Sequence, residues 1–314
     1  MHDLKFSARF EKIEPISRGW SEDKKYCVSK VDGTKYLLRI SPIERYEKRK
    51  ALFEQLERVA GLGVPMCQPI EFGTCEDGVY TLHSWIDGED LEAVLPGLPE
   101  VEQYELGFAS GEILRTIHSI PAPETQEAWD LRCNRMTSMK IEKYRAYSVR
   151  FAGDDWVIAY IEQNRQLLTD RPQCFQHGDY YVGNMMLENG QSGESTEQVI
   201  FRQSLRIIDF LSCDFGDPWE EFSRIVWSEA VSPHFATGQL KGYFGGDPPL
   251  LFFKMLAFYM ASNTLSSIYS ALPFGPDYLD TILQQNQDVL EWFDQMRNPV
   301  PTWYQPGGKQ DAAT

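Results

Sequence analysis

The sequence is short of positive charge: 30 lysines and arginines stand against 46 aspartates and glutamates in 314 residues, a net charge of −16. That balance opposes binding to DNA, RNA or an anionic membrane by simple repulsion, and it would attract a cationic partner or substrate. Six cysteines (Cys27, Cys67, Cys75, Cys133, Cys174, Cys213) include no Cys-x-x-Cys pair. Neither a zinc site nor a disulfide framework is signalled, and reduced thiols in a cytoplasm are expected. Met1 to Phe6 lacks the apolar run of a signal peptide, so export is not expected. Leu250 to Leu272 is nearly long enough to cross a bilayer but carries Lys254, Asn263 and five serines and threonines. A buried helix, ended by Pro273 and Gly275-Pro276, explains it better. No internal repeat is visible.

With 42% hydrophobic residues the chain can bury a large core, and its length favours two lobes. The first, residues 1–86, reads as short strands separated by turns: Lys12 to Ile16, Lys25 to Lys30, a turn at Asp32-Gly33, then Lys35 to Ile40. Ser41-Pro42-Ile43-Glu44 has the form of a capping box, so a helix follows, with Leu52, Leu56 and Val59 on one face and Gly61 closing it. Val64 to Phe72 and Val79 to Trp85 read as two more strands, and the chain crosses lobes at Asp87-Gly88. Helices dominate residues 87–297, beginning with Val101 to Ile120 and ending with Tyr278 to Arg297. Met185 to Leu187 and Leu205 to Ile208 suit a hairpin with a long polar connection. Residues 298–314, with three prolines and a Gly-Gly pair, are expected to be irregular and frayed.

Asp179 and Asn184 are separated by four residues, and Asp209 ends the apolar run Leu205 to Ile208. A carboxylate can receive a hydroxyl proton, and an amide oxygen with a second carboxylate are hard donors suited to Mg²⁺. Each residue alone also fits an ordinary Asx-turn. For Asp209 at the end of a buried strand a compensating cation or hydrogen bond is required in either case. His177 can orient the loop through its ring nitrogens, or simply pack. Ser17-Arg18-Gly19-Trp20-Ser21 lies between two strands, where Gly19 and Ser21 let backbone N–H groups approach phosphates, although G-x-G-x-x-G and Walker A patterns are absent. On the following strand Lys35, Leu37 and Arg39 share a face, placing a cation for nucleotide phosphates. Glu47 or Glu54 on the next helix would pair with it, and Glu54 is the one favoured.

Taken together, His177-Gly178-Asp179 with Asn184, Ile208-Asp209-Phe210 and Gly216-Asp217-Pro218-Trp219-Glu220-Glu221 resemble the aminoglycoside phosphotransferase and choline kinase superfamily. The likeness runs in family order over roughly residues 10 to 295. It implies an α+β, bilobal, protein-kinase-like fold with an antiparallel-sheet N-lobe and a mainly helical C-lobe. It also implies transfer of the γ-phosphate of ATP or GTP to a small-molecule hydroxyl, with Asp179 as catalytic base. Asn184 and Asp209 would hold Mg²⁺, Arg39 would contact the nucleotide phosphates, and Ser84, Trp85 and Ile86 would form the hinge for the base. Asp217 would support the loop or cap a helix. The sequence departs from the family pattern at Tyr180-Tyr181, at Leu211 after Phe210, and at Glu221 in place of an Asp. The acidity of the chain and the likeness together favour an aminoglycoside-like acceptor. Choline, ethanolamine, amino-acid, sugar and macrolide kinases remain alternatives, as does a nucleotide-binding pseudokinase or regulatory module. The sequence says nothing of oligomeric state.

Overall fold

The computed structural model describes residues 8–17, 22–189 and 204–307. The chain divides into two compact units, Met1–Leu91 with Asn184–Leu211, and Glu92–Gly183 with Ser212–Thr314.

In the first unit five antiparallel strands, β1 (Lys12–Ile16), β2 (Lys24–Ser29), β3 (Lys35–Ser41), β4 (Pro69–Cys75) and β5 (Gly78–Ser84), lie in the order β1-β2-β3-β5-β4. Alternation along β2, β3 and β5 sends Val28, Leu38, Ile40, Tyr80 and Leu82 into a core shared with Phe10. It sends Lys25 and Arg39, direct cross-strand partners, to the opposite face. Helix α1 (Tyr46–Gly61) buries Phe53, Leu56 and Val59, and the Phe53 ring lies 5.7 Å from Phe72 and 6.1 Å from His83.

The expected capping box does not form. Ser41 stays in β3, where its hydroxyl donates to Asp23 Oδ1 (2.6 Å) and accepts from Arg49 Nε (2.8 Å). The helix is instead entered through a 3-10 turn, Ile43–Arg45, without a side-chain cap. Nor does Gly61 take the left-handed conformation; Gly63 does, at φ 78°.

A second sheet in this unit joins Gly88–Asp90, Met185–Glu188 and Leu205–Ile207, with Met185 paired to Ile207. The expected hairpin is present; residues 190–203 of its connection lie outside the described residues. Because Gly88–Asp90 pairs with Met185–Glu188, the chain stays in this unit past Ile86. The same pairing carries the 184–211 hairpin into the first unit, whereas the sequence reading places it in a C-terminal lobe of 87–297.

The second unit is helical: α2 (Glu100–Ile117), α3 (Trp129–Ala146), α4 (Asp154–Asn164), α5 (Ile225–Val231), α6 (Pro233–Phe244), α7 (Leu250–Ala271) and α8 (Pro276–Trp292). The apolar α7 is its centre, packed on α3, α4 and α8. No helix among the described residues is long and apolar enough to cross a membrane. Helices α2 and α6 cross at close range. A Cβ at Gly107, Gly111, Gly238 or Gly242 would lie 1.9 to 2.2 Å from a carbonyl oxygen of the other helix. Helix α6 begins with a Ser232 cap accepting from Phe235 N–H (3.0 Å) and ends at Gly245, φ 71°.

After α8 the chain is irregular as expected, but it is not frayed as far as Tyr304. Trp303 and Tyr304 are buried, and the Tyr304 hydroxyl donates to Asp247 Oδ1 at 2.6 Å. Two aromatic rings supply enough apolar surface to hold a segment that its prolines keep from being helical.

Candidate active site

Asp179 belongs to the second unit. The short strand Cys174–Gln176 pairs with Asp214–Gly216 and delivers the chain into a loop at Gly178, whose φ is +83°. A Cβ at Gly178 would lie 2.0 Å from the Ser212 carbonyl oxygen, so only glycine fits. The Gly178 N–H donates to Glu221 Oε1 at 2.8 Å, and the Asp179 N–H donates to His177 Nδ1 at 3.2 Å. His177 is therefore an orienting residue of the loop, fully buried.

Glu221 lies with its other oxygen 3.6 Å from His118 Nε2, and His118 Nδ1 is 3.0 Å from the Tyr243 hydroxyl. Burial pushes the Glu221 carboxyl up, but the His118 contact, the nearby imidazoles and the Gly178 N–H outweigh it and hold the group below its ordinary value. Asp217, in the same unit, is fully buried and heavily hydrogen-bonded. It accepts from Arg171 Nε (2.6 Å) and Nη2 (2.9 Å), from the Tyr259 hydroxyl (2.7 Å) and from Trp219 N–H (2.9 Å). The Trp219 bond is an Asx turn rather than the expected helix cap, because the 3-10 turn Glu220–Arg224 that follows has no side-chain cap.

Asp179 itself is half-buried, with Arg224 Nε 3.5 Å from its Oδ1. Gly178 and Arg224 also form part of the wall of a cavity of about 570 Å³ that lies within this unit. Its other walls come from one face of α3, where Trp129, Arg132, Met136 and Lys140 recur at helical spacing, and from hydroxyl-bearing and amide residues of α7 and α8. The sequence reading names none of these α3 residues. A stripe with two cations at positions i and i+8 on an otherwise half-apolar helix was the signal available. Tyr180, in contrast, is buried away from solvent and donates to the Ser110 carbonyl oxygen at 2.7 Å. The Tyr181 ring stands 6.4 Å from Trp227, which is a cavity wall residue.

Asn184 and Asp209 belong to the first unit, brought close by the hairpin, in which Ile208 N–H donates to the Asn184 carbonyl oxygen at 3.0 Å. Asp209 takes φ +65°, a strained conformation for a residue with a side chain, and its carboxylate is 40% exposed. Arg39 donates to Asp209 Oδ1 at 3.2 Å. Arg39 does not pair with a glutamate of α1: Glu47 and Glu54 are both exposed, and the buried charge of that helix is Arg49. Arg49 binds Asp23 through Nη2 at 2.8 and 2.9 Å.

Lys25, beside Arg39 on β2, has its ammonium pKa pushed down by burial and by the Arg39 charge. Two adjacent cations on one face are a fitting contact for polyphosphate, and Lys25 is a residue the sequence reading passes over. Ser84 spends its N–H on the Gln68 carbonyl oxygen (2.9 Å), so of the expected hinge Trp85 and Ile86 follow β5 without that commitment. Gly19 and Ser21 lie outside the described residues.

Among the described residues no group of three or more His, Cys, Asp or Glu side chains could hold a metal by itself. One carboxylate and one amide oxygen are nevertheless the donor set for Mg²⁺ that arrives with phosphates and keeps several waters, so Asn184 and Asp209 fit that ion.

A model of the phosphotransferase enzyme family matches residues 12–253. Among solved structures, a choline/ethanolamine kinase family protein from Mesorhizobium loti aligns with TM-score 0.64 at 16% identity, covering 94% of this chain and 93% of that one. The GDP complex of wild-type aminoglycoside 2'-phosphotransferase-IIIa aligns with TM-score 0.64 at 12% identity, covering 91% and 95%. An amicoumacin kinase in complex with AMP-PNP and Ca²⁺ aligns with TM-score 0.61 at 14% identity, covering 95% and 94%. No curated protein matches the chain.

Proposed function

The chain belongs to the phosphotransferase enzyme family, and from that premise we propose that it transfers the γ-phosphate of ATP or GTP to a hydroxyl of a small molecule in the cytoplasm. Asp179 is the base that receives the hydroxyl proton as the oxygen attacks phosphorus. Arg39 and Lys25 neutralise nucleotide phosphate oxygens, while Trp85 and Ile86 meet the base. Asn184 and Asp209 would hold Mg²⁺, which would supply charge neutralisation at the phosphates.

The observation that carries this reading is the mounting of Asp179. A half-exposed carboxylate is held by a glycine-only loop, which is tied to buried Glu221 and His177 and set at the edge of a 570 Å³ cavity. A surface Asx-turn has no need of a buried Glu–His support. A pure nucleotide binder has no use for a carboxylate placed at a second cavity.

The expected test is Asp179→Ala. Acceptor-dependent nucleotide consumption should fall by several powers of ten while Mg-nucleotide still raises the melting temperature. Near-normal turnover would remove Asp179 as the base. Aminoglycosides, choline, ethanolamine, hydroxyl-bearing amino acids, sugars and macrolides all offer a hydroxyl, and the cavity wall is what distinguishes them.

A further inference from the structure

The cavity beside Asp179 does not share the strong negative charge of the whole chain. Its charged wall residues are Arg132, Lys140, Arg224, Asp214 and Glu220, and with Asp179 at the edge three cations face three carboxylates, in a protein of net charge −16. Asp214 is already committed, accepting from Arg132 Nη2 at 2.6 Å while Arg132 Nη1 holds the Phe215 carbonyl oxygen at 2.8 Å. Glu220 accepts from Gln176 Nε2 at 3.3 Å; burial pushes its carboxyl up and the Lys140 charge opposes that rise.

Lys140 is the group without a full set of partners. Its Nζ donates to Asn263 Oδ1 at 2.8 Å, and it forms no ion pair among the described residues. An ammonium has three donors and gains most from an anionic oxygen. Burial pushes its pKa down, and the Glu220 charge, which is not in direct contact, opposes that fall without cancelling it. Arg224, the third cation, stands between this wall and Asp179.

We propose that this cavity takes a hydroxylated carboxylate, its anionic oxygens seated on the Lys140 ammonium with Arg224 beside the reacting hydroxyl, and that a polycationic acceptor is disfavoured. This rests on the reading of the protein as a small-molecule kinase and names its acceptor class. The expectation of a cationic acceptor rests on the summed charge and the family likeness, and the cavity wall carries little of that charge.

The test uses the full-length protein with glycerate, threonine and glucuronate as hydroxycarboxylate probes, and glucose, choline and kanamycin as neutral and cationic ones. Thermal shift reads binding, and nucleotide consumption with Mg²⁺ reads transfer. At least one carboxylate should shift the melting temperature and drive turnover. Lys140→Met should raise its KM by about tenfold or more with kcat changed by less than about threefold, and Lys140→Arg should restore most of the loss. Circular dichroism of both variants controls for folding.

Tighter binding of kanamycin or choline than of every carboxylate overturns the proposal, as does binding of no carboxylate, or a carboxylate KM indifferent to Lys140→Met. If carboxylates bind in a Lys140-dependent way without any nucleotide consumption, the cavity assignment stands and the kinase reading fails. Consumption driven by kanamycin alone gives the reverse.

Discussion

The buried pair Asp23–Arg49 offers a quantitative test of how the first unit is held together. The Asp23 side chain is 1% exposed and that of Arg49 is 9% exposed. The carboxylate receives Arg49 Nη2 at 2.8 and 2.9 Å and the Ser41 hydroxyl at 2.6 Å, while Arg49 Nε donates to that same hydroxyl. Asp23→Ala leaves a guanidinium in a dry site with Ser41 as its remaining hydrogen-bond acceptor. Breaking one side of such a pair costs about 3–5 kcal/mol, because the surviving charge is uncompensated. Arg49→Met should cost less, since Asp23 keeps the Ser41 hydroxyl and the Arg45 guanidinium, whose Nη1 lies 3.8 Å away.

The double variant removes both charges and leaves a helix position that the methionine side chain can fill. Its total loss should therefore be no larger than that of Asp23→Ala, giving a coupling of about 2 kcal/mol in a double-mutant cycle. Urea unfolding followed by circular dichroism measures all four corners. Additive losses, with the double variant near the sum of the singles, would refute the claim that the two charges answer each other.

Gly178→Ala should destabilise the second unit by more than about 3 kcal/mol, or inactivate the folded protein, because the new methyl meets the Ser212 carbonyl and the backbone must leave φ +83°. Wild-type activity in that variant would mean the loop is not held as described. Glu229, half-buried on α5, has its carboxyl pushed up to about 7 by burial and by Asp288. The folded state therefore keeps a proton that the unfolded chain releases, and stability is lost as pH rises from about 4.5 to about 7, then levels off. With solvent screening the effect is about 1 kcal/mol. Glu229→Gln should raise the melting temperature by about 2 °C at alkaline pH and leave it unchanged in acid, whereas an equal gain at both would contradict the assignment. Tyr180→Phe, which loses the bond to Ser110, should cost about 1 kcal/mol of stability and leave acceptor KM unaltered, as a packing residue would. A selective change in KM would instead place Tyr180 at the acceptor site.

The sheet and the long helices were legible because their apolar periods are strong: β1 to β3 fall within a residue of expectation, and α7 follows its apolar run closely. The order of Asp179, Asn184 and Asp209 was legible as a motif, and His177 does hold the loop. What escaped was set by tertiary contact. The Ser41 capping box lost to a buried ion pair that spans residues 23 and 49, distant in sequence and invisible to local pattern. The expected Arg39–glutamate pair failed because the helix turns Glu54 to solvent and Arg49 inward. Tyr180-Tyr181 departs from the family pattern beside Asp179, yet Tyr180 is buried in the core, and much of the cavity wall comes from α3, α7 and α8. A summed charge of −16 could not show that the cavity carries as many cations as carboxylates.

The central claim is phosphoryl transfer with Asp179 as base, and ³¹P NMR of the γ-phosphate tests it most directly. With Mg²⁺, ATP or GTP, and the acceptor that gives turnover, the wild-type protein should convert the γ-phosphate resonance into that of a phosphomonoester. Asp179→Ala should leave the nucleotide intact while still binding it. A phosphomonoester formed at the wild-type rate by Asp179→Ala, or γ-phosphate that stays on the nucleotide with every acceptor offered to the wild type, would contradict the account.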